Sequence, residues 1–228
     1  MTPQLIDKSK IYFYFFLLIL LLSIHNLNSS DLIKNFFQIK KIILKSDIEE
    51  NLNNEISIAL EKIYNKNVFL IKSHEIKKIL DKFNIISEYK IKKEYPSALK
   101  IELKETKILA YYFDNDQEIF IGENGKEIKN IFFNEKNLPV IEGNIDINLF
   151  FDLRNKLINQ GYNINQFNKF YLTNSKRWNL FYKNEIIIKL PFKNIEKALK
   201  IIKDIISSPD INNIKTIDLR INNKIILS

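Results

Sequence analysis

Over residues 85–113 apolar and polar side chains alternate with a period of two, and this commits the chain to two strands of a sheet. On the first arm Tyr89 and Ile91 alternate with Lys90 and Lys92. On the second, Leu99, Ile101 and Leu103 alternate with Lys100, Glu102 and Lys104. Tyr95-Pro96-Ser97-Ala98 breaks the run between them. Pro96 presets φ for a turn and has no N–H to give a central ladder. The stretch therefore reads as a hairpin with one buried face. After Leu103 the phase slips, because Glu105 stands where an apolar residue is due, and alternation restarts near Ile108. Such a slip predicts a bulge or bend, where one folded unit hands over to the next.

Upstream, Lys8 and Lys10 precede residues 11–24, fourteen positions without a charge. A membrane-spanning helix needs about 20 apolar residues, with a range of roughly 17–25. Extension to Leu27 gives seventeen residues, with Ser23, His25 and Asn26 at the far interface and Tyr12 and Tyr14 at the near one. A cleaved signal peptide would have an apolar region of about 7–15 residues. The sites that follow lack a small-x-small pair with alanine, which favours an uncleaved span over 11–27. Only ten residues precede it, so the bulk of the chain is expected on the extracytoplasmic side.

Between the span and the hairpin, residues 36–44 read as a strand. Ser46-x-x-Glu49 has capping-box spacing, and Ile48, Leu52, Ile56, Ala59, Leu60 and Ile63 recur at helical intervals. Asn65-Lys66-Asn67 ends that helix. A short apolar piece, 68–71, follows, and Ser73 is placed to cap a second helix carrying Ile76, Ile79, Leu80 and Phe83. The order is strand, helix, helix, strand, strand. Beyond the junction, strands are expected over 109–113 and 119–121, a helix from Asp146 to a stop at Gly161, and strands at 177–182 and 185–190. A last helix carries Ile195, Leu199, Ile202 and Ile206, and the chain closes with a segment from Ile214 to Leu227, in which Ile217, Leu219 and Ile221 alternate with Asp218 and Arg220 until Asn222-Asn223 interrupts them before Ile225 and Leu227.

The formal charge of +8 raises the question of nucleic acid. The chain has 32 Lys against 3 Arg, with 43 Ile and 29 Asn, spread along its length rather than clustered. That skew is what an A+T-rich coding sequence produces at surface positions, and it does not make a binding stripe. No cysteine is present, which excludes disulfides and thiolate metal sites. The two histidines are His25, at the membrane edge, and His74, at a helix start. Neither supplies the base that a nucleophilic triad needs. Ser97-x-x-Lys100 straddles a turn and a strand and so fails the one-turn geometry of acyl-transfer enzymes. The glycines at 122, 125, 143 and 161 build no phosphate loop, and Asp114 and Asp116 read as a solvated turn. No catalytic, cofactor or metal residues are assigned.

A family pattern runs through these elements. Ile86, Tyr89, Ile91, Lys93, Tyr95-Pro96, Leu99, Ile101 and Glu105 through Ala110 resemble the FtsQ/DivIB cell-division proteins, whose corresponding stretch ends in ER-x-P-x-A. Leu138-Pro139 through Gly143 resembles that family's LP-x-x-x-G. Lys176-Arg177-Trp178-Asn179-Leu180 resembles its R-x-W stretch, and Ile217-Asp218-Leu219-Arg220 its V-D-L-R. Thr106 replaces an arginine, Ile108 a proline and Ile85 a frequent tryptophan. The resemblance implies an α+β chain. A short tail (1–10) and a transmembrane helix (11–27) lead to a β-α-α-β-β POTRA domain (36–107). A mixed second domain built on an antiparallel sheet (108–228) completes it.

It also implies a bitopic inner-membrane scaffold of the divisome, without enzyme activity or cofactor, enriched at the septum with its bulk periplasmic. The small coiled-coil proteins FtsB and FtsL would add a strand at the C-terminal edge, and other division proteins would meet the POTRA domain. Carried onto this chain, the partner-binding residues are Ile221, Asn222, Asn223, Lys224 and Ile225, with Lys176, Arg177 and Trp178 nearby. Two other classes compete: a POTRA-containing secretion or outer-membrane assembly accessory protein, and a secreted enzyme.

Overall fold

The computed structural model describes residues 8–26, 35–129, 138–183, 186–208, 211, 214–221 and 224–228. Its first element is helix α1 (Lys8–Asn26). Every side chain from Ile11 to Leu22 is exposed, from 42% at Leu17 to 72% at Tyr12, so the protein itself does not cover this helix. Among the described residues no helix is long and apolar enough to cross a membrane. Leu27, the far end of the expected span, lies outside the described residues. The chain divides into two units, Met1–Lys104 and Glu105–Ser228.

In the first unit, strand β1 (Lys41–Lys45), helices α2 (Glu50–Leu60) and α3 (Ser73–Leu80), and strands β2 (Ile86–Glu94) and β3 (Ala98–Glu105) follow in the order β-α-α-β-β. The three strands pair as β1-β3-β2, with β1 parallel to β3. Leu99 and Ile101 of β3 are fully buried, as are Ile56, Leu60 and Leu80 of the helices.

Local chemistry shifts several expected boundaries. The strand expected over 36–44 reaches the sheet only from Lys41. Residues 37–39 pair instead with 65–68, through Val68 N–H to the Phe37 carbonyl (2.8 Å) and Ile39 N–H to the Lys66 carbonyl (2.9 Å). Asn65 turns the chain there with φ 62°. Ser46 builds no capping box. Its hydroxyl accepts from the Ile48 amide at 3.0 Å, and helix α2 starts later, at Glu50. Ser73 is the first helical residue rather than the cap. Glu75 accepts from the Lys72 amide (3.3 Å) and from Lys66 Nζ (2.7 Å). The Lys66 ammonium, first among these partners, holds the Glu75 carboxyl below its usual range. Residues 68–71 form a turn, in which Val68 and Ile71 are buried and Phe69 and Leu70 are exposed.

In the second unit the strands are β4 (Ile108–Asp114), β5 (Gln117–Gly122), β6 (Glu127–Ile128), β7 (Val140–Gly143), β8 (Phe167–Leu172), β9 (Trp178–Tyr182), β10 (Ile186–Lys189), β11 (Thr216–Asp218) and β12 (Ile226–Leu227). They form one sheet in the order β12-β11-β10-β9-β8-β7-β4-β5-β6. The antiparallel sheet expected from the sequence is in fact mixed: β10–β11, β7–β8 and β4–β7 are parallel. Helices cause two of these pairings. Helix α4 (Ile147–Asn159) joins β7 to β8, and α5 (Ile195–Ile206) joins β10 to β11. A helical crossover returns the chain in the direction it left. Both crossovers step the same way along the sheet, so a common hand puts both helices on one face.

The register confirms that face. Ile141, Phe170, Leu180, Ile188 and Ile217 lie opposite one another across five strands, and none is more than 1% exposed. Phe150, Leu153 and Leu157 of α4 and Ala198, Leu199 and Ile202 of α5 cover them. Helix α4 has the boundaries its sequence announces. Asp146 Oδ1 accepts from the Leu149 amide at 3.1 Å, and Gly161, at φ +76°, closes the far end with Tyr162 N–H on the Leu157 carbonyl (3.0 Å). The Tyr162 hydroxyl then donates to the Leu199 carbonyl at 2.5 Å, tying α4 to α5. Burial raises its pKa.

The start of this unit explains what replaces the family's arginine. Thr106 is buried at 3% exposure, and its Oγ1 accepts from the Asn124 amide at 3.3 Å. Gly122 passes directly over it: a Cβ there would stand 2.7 Å from Thr106 Cγ2 and 2.5 Å from Asn124 Oδ1. Gly122→Ala is therefore expected to lower stability by about 1–3 kcal/mol, the usual cost of overpacking. Thr106→Ser on that background should recover part of the loss, because it removes Cγ2 and keeps the hydroxyl. Thermal unfolding of the two variants checks this, and a Thr106→Ser change with no rescue would remove Cγ2 as the cause.

Candidate partner-binding edge

Among the described residues the C-terminal strand β12 is the last in the sheet and pairs on one side only, antiparallel to β11 (Ile217 opposite Leu227, Asp218 opposite Ile226). Ser228 N–H donates to the Thr216 carbonyl (3.2 Å), and Thr216 N–H donates to the Ser228 carbonyl (2.9 Å). Residues alternate between facing the ladder and facing away from it. Ser228 and Ile226 thus face β11, and the N–H and C=O of Leu227 point outward from the edge. The side chains of Ile221, Ile225, Ile226 and Leu227 are 39–53% exposed, which is unusual for four large apolar residues in one short segment.

Beside this edge a groove of about 570 Å³ opens along the start of α5. Leu219, Ala198 and Ile201 line its apolar part, and Phe192, Ile221 and Ile225 flank them. Five cations border it: Arg177, Lys193, Lys197, Arg220 and Lys224. Arg220 is committed within the chain, because its guanidinium grips Asp218 through Nε (2.9 and 3.0 Å) and an Nη (2.6 Å). That contact holds the Asp218 carboxyl below the ordinary range and raises the arginine. The other four have no carboxylate partner among the described residues. An apolar trough with unpaired cations on its rim suits a partner segment that is apolar on one side and acidic at its margins.

Of the residues singled out in the sequence, Arg177, Ile221, Lys224 and Ile225 share this groove. Lys176 sits in the β8–β9 turn at φ 55°, where Thr173 Oγ1 accepts from the Arg177 amide at 3.1 Å. Trp178 is not at the surface. It is 3% exposed in the core, with its ring edge-on to Phe170 at 6.5 Å. The physical reason is its place in β9, where it opposes Leu172 on the covered face of the sheet. Asn222 and Asn223 lie outside the described residues. Sequence reasoning missed Phe192, Lys193 and Lys197. Only Lys197 lies on α5; Phe192 and Lys193 precede the helix, and the left-handed Asn194 that turns them toward the groove has no signature in the sequence.

No group of three or more His, Cys, Asp or Glu side chains among the described residues is placed to hold a metal ion. Comparison with known proteins places the fold in context. The family model described as "Cell division protein FtsQ/DivIB, C-terminal" matches residues 110–220. The chain is similar to the cell division protein FtsQ of Rickettsia bellii, with 32% identity over 192 residues, covering 79% of this chain and 70% of the relative. FtsQ of Rickettsia felis matches at 30% over 193 residues, with the same coverage. FtsQ of Rickettsia typhi matches at 29% over 212 residues, covering 85% of this chain and 76% of the relative. The edge strand, the arginine-bound aspartate beside it and the matched stretch all belong to the second unit, and on these relatives the chain belongs to the FtsQ/DivIB family of cell-division proteins.

Proposed function

We propose that this chain is a single-pass membrane scaffold of the bacterial division machinery, with no catalytic activity of its own. In this reading α1 anchors it in the inner membrane, residues 36–107 form a POTRA domain, and residues 108–228 form the domain that docks a small coiled-coil complex of the FtsB/FtsL kind. The bulk of the chain is periplasmic. The observation that carries the proposal is the C-terminal edge: an outward-facing backbone at Leu227, four exposed apolar side chains and an adjoining groove rimmed with Arg177, Lys193, Lys197 and Lys224, which have no carboxylate partner among the described residues. An unpaired strand edge is a template for another strand, and the cations would fix the orientation of an acidic partner. The anchor is supported by α1, whose residues 11–22 are apolar on every side and find no protein cover. The β-α-α-β-β order of the first unit supports the POTRA assignment.

A fluorescent fusion imaged in dividing cells tests the role. A band at midcell is expected that depends on the coiled-coil partner or recruits it. Diffuse membrane fluorescence with no band would refute a division role for this chain.

A further inference from the structure

A second exposed apolar surface lies in the first unit, at the end where the chain enters it. Phe36 and Phe37 stand edge to face with centroids 5.1 Å apart, and Phe37 meets Phe69 at 4.9 Å. Phe69 stacks on Tyr95 at 4.5 Å with an interplanar angle of 22°. Phe36, Phe69 and Tyr95 are each more than half exposed, and Leu70 beside them is 76% exposed. Backbone contacts gather these residues. Val68 N–H holds the Phe37 carbonyl, and Lys93 Nζ donates to the carbonyls of Phe69 (3.0 Å) and Ile71 (2.9 Å). Lys40 N–H donates to the Ser97 carbonyl at 2.8 Å, which draws the hairpin turn to the same end. The same segments send Ile39, Val68 and Ile71 into the interior, at 0–4% exposure, and leave these rings outside it. A contiguous apolar patch of this kind marks a contact surface.

Chain length and charge indicate what covers it. Nine residues lie between Asn26, the end of α1, and Phe36, and ten residue-to-residue steps span at most about 33–36 Å. The patch is therefore tethered within about a bilayer's thickness of α1, whose residues 11–22 are apolar on every side. Around the rings, the segments 36–41, 68–72 and 93–97 carry Lys40, Lys41, Lys72 and Lys93 against one carboxylate, Glu94. Aromatic rings beside lysines are the composition of a membrane interface, where the rings lie at headgroup depth and the ammonium groups meet lipid phosphates.

We infer that this patch lies on an anionic phospholipid surface, with Phe36, Phe69, Leu70 and Tyr95 at the headgroup–acyl boundary and Lys40, Lys41 and Lys72 on the phosphates. The first unit then rests on the membrane instead of swinging from its tether. This rests on the reading of α1 as the membrane anchor. Because the chain has no cysteine, single nitroxide labels can be placed at will. The full chain, carrying Leu70→Cys, Lys104→Cys or Leu17→Cys, would be reconstituted into phosphatidylethanolamine–phosphatidylglycerol vesicles. Collision of the label with a water-soluble nickel complex is then measured. Lys104 lies six residues along β3 from Ala98, about 20 Å away, and serves as the aqueous reference.

The Leu70 label is expected to lose most of the nickel broadening that the Lys104 label shows. Combining Lys40→Glu, Lys41→Glu and Lys72→Glu, all exposed positions, should restore it. A Leu70 label as open as the one at Lys104 overturns the inference. So does one that becomes shielded only when another protein is added. Shielding that survives the triple reversal overturns the assignment to anionic headgroups. The Leu17 label reports on α1 separately, so failure of the anchor is told apart from failure of the patch.

Discussion

Replacing Gly143 by alanine is expected to lower the stability of the second unit by about 3 kcal/mol or more and its Tm by roughly 10 °C or more. Two effects add. Gly143 has φ +88°, a conformation that costs a residue with a Cβ about 1–3 kcal/mol. A Cβ there would also be driven onto the Leu172 carbonyl oxygen, with the carbonyl carbon 3.0 Å away. Leu172 cannot retreat. It is 1% exposed, it opposes Gly143 in β7 and Trp178 in β9, and its carbonyl already accepts from Asn144 N–H at 2.9 Å. Relief would require sliding β7 against β8 and breaking the row of core residues that begins at Ile141. Gly125 supplies the control. Its φ is +78°, but nothing lies within 4 Å of an added Cβ, so Gly125→Ala carries the conformational cost alone. Chemical denaturation of both variants separates strain from collision. Equal losses would show that the Leu172 contact carries no weight.

Much of this architecture could be read from the residues, and the places where it could not share a cause. The hairpin, the Asp146 cap and the Gly161 stop were legible because each depends on nearest neighbours in sequence: alternation, a side-chain oxygen near a free amide, a glycine at positive φ. The two-residue turn Asn115–Asp116, with φ of 48° and 62°, was legible for the same reason. Where two local solutions compete, the tertiary fold decides. Ser46 reaches the Ile48 amide before any helix has begun. The short apolar piece 68–71, to which the sequence assigns no element, turns because Asn67 accepts from Phe69 N–H through its side chain and from Ile71 N–H through its backbone. The parallel pairings of β7 with β8 and β10 with β11 follow from helices whose existence was legible and whose crossover was not. At the candidate edge, alternation from Ile217 to Ile221 suggested one strand. The strand ends at Asp218: Leu219 N–H makes a last bond to β10, on the Lys189 carbonyl, and Arg220 folds back on Asp218 through its side chain and its own amide. The outer strand of the sheet is therefore Ile226–Leu227, just beyond the segment 221–225 that the family resemblance indicated.

That shift sharpens where a partner strand would be broken. Proline at Leu227 is expected to weaken binding of the proposed coiled-coil partner at least tenfold, about 1.4 kcal/mol, while leaving the fold intact. The N–H that proline removes points away from β11, so no ladder bond is lost. The preceding residue, Ile226, is already extended, as a residue before proline must be. The partner loses a donor for one of its carbonyls, and the pyrrolidine ring stands where its backbone would approach. Proline at Ile226 is the contrasting change. It deletes the N–H that faces Asp218 in the ladder and should loosen the edge as well as weaken binding. Reversing Lys193 and Lys197 to glutamate acts differently again. Both lie on the groove rim, so the change should slow association and invert its salt dependence rather than remove the docking geometry. Calorimetric titration of the full chain with the proposed FtsB/FtsL-type coiled coil, alongside thermal unfolding of each variant, separates the three cases. Binding by the Leu227→Pro chain at wild-type affinity would rule out strand addition at this edge. A loss confined to the Lys193→Glu, Lys197→Glu chain would move the docking site into the groove.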